Sequence, residues 1–135
     1  MIVLDSSFLI AFHNPKDAHH KAASELMGRF LAGEWGKGLL LEYVFLEVVT
    51  IIMLRLDLAA AIRVGHNLLE AEELEFVPCS DSFLETFDGF SRQNGTHLSF
   101  VDAALARAAR NRADGQILTF DGDFRKLPSL RVQNL

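Results

Sequence analysis

Short apolar runs alternate with longer amphipathic stretches along most of the chain. The apolar runs lack polar alternation and most are stopped by turn residues, which is typical of parallel strands buried on both faces. Five runs predict strands: residues 2–4, 39–41, 75–77, 117–120 and 130–132.

Apolar residues at helical spacing fill the segments between these runs. They predict helices over residues 17–31, 43–56, 58–69, 81–90 and 100–110. The segment 43–56 is nearly all apolar, which is typical of a helix packed on several sides. Strands that alternate with helices predict an α/β protein, with three α/β/α layers around a central parallel sheet of about five strands. We expect residues 1–135 to form a single domain.

Composition excludes several classes of protein. Half of the 135 residues are hydrophobic and 23% are charged, which excludes an intrinsically disordered chain. The one cysteine, Cys79, has no partner for a disulfide within the chain and suits a reducing compartment. The apolar stretch 48–54 is far shorter than the roughly 20 residues of a membrane span. We therefore expect a soluble, cytoplasmic protein that does not contact a membrane.

Acidic residues follow two of the predicted strands. Ligands of open parallel sheets bind beyond the carboxyl ends of the strands. Asp5 follows the first predicted strand and Asp121 follows the fourth, so both carboxylates are expected at the same edge of the sheet. Each has an ordinary alternative, since Asp5 would also cap a helix that begins at Ser6, and Asp121-Gly122 is a common turn pair.

Two further acids lie on predicted helices. Glu47 shares the apolar segment 43–54 with Thr50 as its only polar companion, so we expect it to have a partner or a metal. A salt bridge to an arginine is the alternative. Asp102 lies on the first turn of a helix after a loop, where it can face the cleft. Ser99 and Asp102 also have the spacing of a capping box, which is the alternative for this acid.

Together, the four acids point to one kind of chemistry. Clusters of carboxylates favour hard cations such as Mg²⁺ or Mn²⁺. The histidines and the single cysteine show no zinc-binding spacing. A magnesium or manganese ion held by carboxylates usually takes further ligands from phosphates, which is the chemistry of phosphodiester hydrolysis.

The motifs around these acids resemble the PIN-domain ribonuclease family, in particular its small VapC-type toxins. The strand followed by Asp and small hydroxyl residues is matched by IVLDSSFLIAF. The glutamate on an apolar helix is matched by YVFLEVV, and the Ser-x-x-Asp-Ala helix start by LSFVDAALA. The late Thr-x-Asp-x-Asp-Phe segment is matched by LTFDGDF. No single motif is specific for this family. The four motifs together are specific, because they occur in the family's order over nearly the whole chain.

The resemblance implies a metal-dependent endoribonuclease with Mg²⁺ or Mn²⁺ as its cofactor and RNA as its substrate. It also implies a cognate antitoxin partner and a homodimer. The acids Asp5, Glu47, Asp102 and Asp121 would be both catalytic and metal-binding, with Asp123 an outer metal ligand and Ser7 and Thr119 supporting the site.

Glu42 departs from the family pattern, because a small polar residue or Asp is expected at its position. It lies five residues before Glu47, about 500° around a helix, so the two do not share a face. Glu47 is therefore kept as the acid of this helix.

Contacts to RNA phosphates require Lys or Arg near the acids. The candidates are Arg107 and Arg110, which share a helix face, and Arg125 and Lys126, which follow Asp121. An ordinary solvated face is the alternative for each of them, and it is slightly favoured for Arg107 and Arg110. The net charge of −5 does not exclude nucleic acid, since the four acids of the predicted site account for most of it.

Two other functions fit parts of the pattern. A PIN-like module that binds RNA or a protein without cutting is the main alternative, although the presence of all four acids counts against it. A receiver-like signalling domain also places acids at strand ends. Such a domain also needs a lysine late in the chain. Lys126 is the only late lysine here, and it neither follows the fourth predicted strand nor ends a fifth.

Overall fold

The computed structural model describes residues 1–134. Its five strands are β1 (Ile2–Leu4), β2 (Gly38–Leu41), β3 (Leu74–Val77), β4 (Gln116–Leu118) and β5 (Arg131–Gln133). Its six α-helices are α1 (Ser6–His13), α2 (His20–Leu31), α3 (Glu42–Arg55), α4 (Leu58–Glu70), α5 (Phe83–Ser91) and α6 (Phe100–Arg112). Short 3₁₀ helices cover Ser80–Ser82 and Gly122–Lys126.

The strands form one sheet in the order β3-β2-β1-β4-β5, and all neighbouring pairs are parallel. The six helices flank this sheet, so the expected three-layer α/β/α fold with five parallel strands is confirmed. Receiver-like domains have the strand order 2-1-3-4-5. That alternative is therefore wrong for this chain.

The apolar runs form the centre of the core. All residues of β1 and the three leucines of β2 are at most 2% exposed, as are Ile117 and Leu118 of β4. The edge strands β3 and β5 are only partly buried. Among residues 1–134, no helix has the length and apolarity needed to cross a membrane.

The structure corrects the predicted end of the fourth strand. We expected this strand to reach Phe120, but β4 ends at Leu118. The N–H of Phe120 donates to Ser7 Oγ at 2.9 Å instead of to a neighbouring strand, so the ladder stops early. The fifth predicted helix also begins later than expected, at Phe83, because Ser80–Ser82 forms a 3₁₀ turn.

Helix α3 packs against several elements, but it is not buried all round. Its fully buried residues are Val44, Val48 and Ile52. Leu46 and Leu54 are 54% and 74% exposed. Helix α3 contacts α1, α4 and β2, whereas Leu46, Met53 and Leu54 leave part of its apolar surface exposed.

The chain reverses its winding direction between β1 and β4. From β1 it proceeds through β2 to β3 on one side, and β4 and β5 follow on the other. Such a switch point opens a crevice at the carboxyl ends of the two central strands. The residues after Leu4 and Leu118 therefore border the expected ligand site.

Candidate active site

A cleft of about 410 Å³ opens at this switch point. Five acids line it. The four predicted ones come from four different segments: Asp5 after β1, Glu47 on α3, Asp102 on α6 and Asp121 after β4; Asp17 is the fifth. The cleft thus gathers five of the chain's 18 acidic residues at one place.

Asp5 is fixed at the base of the cleft by the start of α1. Its Oδ1 accepts the N–H of Ser6 at 2.7 Å, so Asp5 is the N-cap of the helix and lines the cleft at once. The residue is only 5% exposed. Burial raises the pKa of Asp5 above its usual value, and the charge of Glu47 adds to this effect.

Two hydroxyl groups hold the other oxygen of Asp5. Its Oδ2 accepts bonds from Ser7 Oγ at 2.9 Å and from Thr119 Oγ1 at 2.6 Å. These bonds favour the ionised carboxylate and lower the pKa of Asp5, although burial has the larger effect. Ser7 lines the cleft, whereas Thr119 is 1% exposed and lies outside its lining. Thr119 also accepts the N–H of Asp121 at 2.9 Å, so one hydroxyl connects the ends of β1 and β4.

Glu47 contacts a serine and not an arginine. Its Oε1 accepts a bond from Ser6 Oγ at 2.9 Å, and no salt bridge to Glu47 occurs within residues 1–134. The residue is exposed to the cleft, and the partner that the structure gives it is a hydroxyl group. Ser6 links Glu47 to Asp5, a role that the sequence analysis missed.

Asp102 faces the cleft from the first turn of α6. The cap is also real, because Ser99 Oγ accepts the N–H of Asp102 at 3.0 Å. Burial, followed by the charge of Asp5, raises the pKa of Asp102 to about 6. Hydrogen bonding to Ser99 partly offsets this rise, and the charge of Asp121 adds to it. The neighbouring carboxylates thus repel one another across the cleft.

Asp121 and Asp123 have different surroundings. Asp121 caps the 3₁₀ helix that follows it by accepting the N–H of Asp123 at 2.9 Å, and it also lines the cleft. The Asp123 side chain is exposed and pairs with Lys126 Nζ at 3.2 Å. Asp123 is not among the residues that line the cleft.

The rim of the cleft contains three residues that the sequence analysis did not assign to the site: Asp17, His19 and Arg55. Arg55 Nη1 lies 3.8 Å from Asp17 Oδ2. Arg55 is two helical turns beyond Glu47 on α3, and this spacing is the signal that could have found it. His19 had no comparable signal, because its place depends on how α2 packs beside the sheet.

The predicted RNA-binding cations lie elsewhere or already have partners. Arg107 and Arg110 line a separate cavity of about 190 Å³ between α5 and α6. Arg125 donates to Asn134 at 2.6 Å, and Lys126 pairs with Asp123. None of the four lines the acidic cleft.

Glu42 has a structural contact instead of a place in the cleft. Its Oε1 accepts the N–H of Cys79 at 3.0 Å, which ties the start of α3 to the segment after β3. Glu42 and Glu47 therefore lie on different faces of α3, as their spacing predicts.

The donor set of the cleft suits a hard divalent cation. Most of its donors are carboxylate and hydroxyl oxygens, with the imidazole of His19 at the rim. Two of the carboxylates, Asp5 and Asp102, have raised pKa values that a nearby cation would lower again. Within residues 1–134, no three carboxylate, imidazole or thiol groups are already grouped at metal-binding distance. The donor atoms of the cleft suit a metal, but among residues 1–134 the side chains do not form a complete coordination shell.

Comparison with known proteins agrees with this fold. The PIN domain family matches residues 2–130, and the chain therefore belongs to that family. Among solved structures, VapC20 of Mycobacterium tuberculosis, a toxin that cleaves the sarcin-ricin loop, matches with a TM-score of 0.82. It is 24% identical in sequence, and the match covers 95% of each chain, which establishes a shared fold. Comparison with curated protein sequences gave no match. The family resemblance found in the motifs is confirmed.

Proposed function

We propose that this chain, as one domain over residues 1–135, is a metal-dependent endoribonuclease that hydrolyses RNA phosphodiester bonds. The observation that carries the proposal is the convergence of Asp5, Glu47, Asp102 and Asp121 on one cleft. Membership of the PIN domain family supports it.

In this proposal the four acids hold Mg²⁺ or Mn²⁺, with Asp123 in an outer position. When bound, the metal activates water and stabilises the leaving oxygen of the phosphodiester. The chain's own contribution is to position the acids. The hydroxyls of Ser7 and Thr119 fix Asp5, and Ser6 fixes Glu47 relative to it.

The RNA backbone would enter over the rim of the cleft. Arg55 is the only lysine or arginine among the cleft-lining residues, and its guanidinium can contact a phosphate. Arg107, Arg110, Arg125 and Lys126 remain candidates for more distant phosphates.

The experiment is cleavage of a fluorescent single-stranded RNA with Mn²⁺, with Mg²⁺ and with excess EDTA. We expect cleavage in both metals, none in EDTA, and loss of activity in Asp5→Asn. Asp81→Asn, a change to an exposed acid outside the cleft, is the matched control and should cut like the wild type. Undiminished cleavage in EDTA or in folded Asp5→Asn would refute the proposal.

A module that binds RNA without cutting is the second candidate. The observation in its favour is the lack of a closed metal-binding group among residues 1–134. RNA binding measured by fluorescence anisotropy, combined with no cleavage in either metal, would establish this candidate instead.

We further propose a toxin of the VapC type, held inactive by a cognate antitoxin in the cytoplasm and assembled as a homodimer. The similarity in fold to VapC20 supports the toxin. Exposed apolar side chains on α3 and α4, among them Met53, Leu58 and Ile62, line one groove, and exposed apolar patches are typical of protein interfaces. The buried free thiol of Cys79 suits a reducing compartment.

Light scattering on the purified chain tests the dimer, for which we expect twice the chain mass. Co-expression with the product of the neighbouring reading frame tests the antitoxin. A stable complex that no longer cuts RNA is expected, and a partner that leaves cleavage unchanged would contradict this assignment.

A further inference from the structure

Two aromatic rings are stacked at the rim of the acidic cleft. The imidazole of His19 lies over the ring of Phe120 with 4.5 Å between centroids and 7° between planes. His19 is exposed and lines the cleft together with Asp5, Asp102 and Asp121. Because Phe120 covers one face of the imidazole, the exposed part of His19 is its other face and its edge.

The surrounding structure holds the backbone of His19 and the ring of Phe120. His19 is the N-cap of α2, and its N–H donates to Asp17 Oδ1 at 2.8 Å. The ring of Phe120 packs against the buried Phe8, with 6.5 Å between centroids. Phe120 therefore anchors the stack to the core, and the imidazole of His19 rests on it.

The stack is also tied directly to the acids. Ser7 Oγ accepts the N–H of Phe120 at 2.9 Å and donates to Asp5 Oδ2 at the same distance. Phe120 is followed in the chain by Asp121, which lines the cleft. One hydroxyl thus fixes the aromatic stack and the central carboxylate relative to each other.

We propose that His19, backed by Phe120, is the stacking platform for an unpaired nucleobase next to the scissile phosphate. The inference rests on the proposed function, because it takes RNA as the substrate. Proteins that recognise single-stranded RNA stack bases on Phe, Tyr and His rings. A flat, exposed ring beside the acids provides such a surface, and a base paired inside a duplex cannot reach it. The platform therefore favours unpaired nucleotides without selecting one base.

The test separates stacking from proton transfer by an imidazole. His19→Ala removes the ring, whereas His19→Phe keeps a ring but cannot transfer a proton. Stacking of one base is typically worth a factor of about 5 to 150 in affinity. We expect His19→Ala to raise KM about tenfold with kcat changed by less than about twofold, and His19→Phe to restore KM. His66→Ala, a change to an exposed histidine on α4, is the control.

A binding experiment keeps the platform testable without cleavage. RNA oligonucleotides that each lack one base at successive positions are titrated in the Asp102→Asn background, with and without His19→Ala. At one position, we expect loss of the base to weaken binding about tenfold, but only when His19 is present.

The outcomes distinguish the two proposals. No cleavage of any RNA by the wild type would refute the proposed function, and the binding experiment would still decide the platform. The platform proposal would be overturned if His19→Phe were as defective in KM as His19→Ala. It would also be overturned if removal of a base weakened binding equally with and without His19→Ala. An unchanged KM in His19→Ala would do the same.

Discussion

The two sides of helix α3 differ in how their side chains are satisfied. On one side, Glu47 and Arg55 face the acidic cleft, where each has a polar partner. On the other, Val49 and Met53 face an apolar groove of about 370 Å³ against α4, which no described residue fills. The comparison teaches that an apolar helix need not be buried all round. Of its two acids, Glu47 lies on the side that faces the cleft, and Glu42 binds the backbone of Cys79 instead.

The largest effect expected from this comparison is on cleavage. Glu47→Gln removes a cleft-facing charge but keeps the shape of the side chain, so we expect the cleavage rate to fall on the order of 100-fold. Met53→Gln alters the groove side of the same helix and should leave the rate within about twofold. Single-turnover cleavage in Mn²⁺ measures both. Equal rates for the two variants would remove the functional distinction between the sides.

The next effect concerns stability and compares two threonines. Thr119→Val deletes the buried hydroxyl that donates to Asp5 and accepts from Asp121, which should cost about 1–3 kcal/mol of unfolding free energy. Thr50→Val deletes an exposed hydroxyl that donates to the carbonyl of Leu46, with an expected change within about 0.5 kcal/mol. Urea denaturation gives both values. A Thr119→Val variant as stable as the wild type would show that the hydroxyl network does not stabilise the fold.

The cleft should also make stability depend on pH. The pKa of Asp102 rises from 3.8 to about 6 on folding. Between these values the folded chain binds more protons than the unfolded chain, so the free energy of unfolding falls as the pH rises from about 4 to about 7. The loss from Asp102 should be about 1–2 kcal/mol after allowance for partial solvent exposure.

Urea denaturation in EDTA at pH 5 and pH 7 measures this loss. Asp102→Asn should show a smaller fall than the wild type, and Asp81→Asn should fall like the wild type. An equal fall in Asp102→Asn would indicate that other groups cause the dependence.

The smallest expected effect on stability is at Arg55. Its pair with Asp17 is long and the Arg55 side chain is 56% exposed, so Arg55→Ala should cost less than about 0.5 kcal/mol. If Arg55 contacts a phosphate, the same change should weaken RNA binding on all sequences and reduce its salt dependence by about one charge. Anisotropy titrations at several salt concentrations measure this, and an unchanged slope would exclude Arg55 from the interface.

The predictable part of the molecule follows from local pattern and topology. Buried parallel strands have a distinct apolar signature, and Asp5 and Asp121 meet because both follow central strands of one sheet. Helix capping and a place in the cleft, which are alternatives in the sequence, prove compatible in the structure. Asp5 caps α1 and Asp102 takes part in the cap of α6, yet both line the cleft.

The remainder depends on packing between distant segments, which local pattern does not encode. The link from Ser6 to Glu47 spans 41 positions, and the stack of His19 on Phe120 spans about a hundred. The exposure of Leu54 likewise depends on how few neighbours α3 has in the folded chain. Arg107 and Arg110 lie on the same helix as Asp102, but they project from a different face of α6 and line the cavity beside α5.

The central claim is that carboxylates from four separate segments act as one metal site. A calorimetric titration with Mn²⁺ tests this claim most directly. The proteins compared are the wild type, the four cleft variants Asp5→Asn, Glu47→Gln, Asp102→Asn and Asp121→Asn, and the control Asp81→Asn. We predict that the wild type and Asp81→Asn bind Mn²⁺ alike, and that each of the other four variants binds at least about tenfold more weakly. No binding by the folded wild type, or unchanged affinity in the four variants, would contradict the claim.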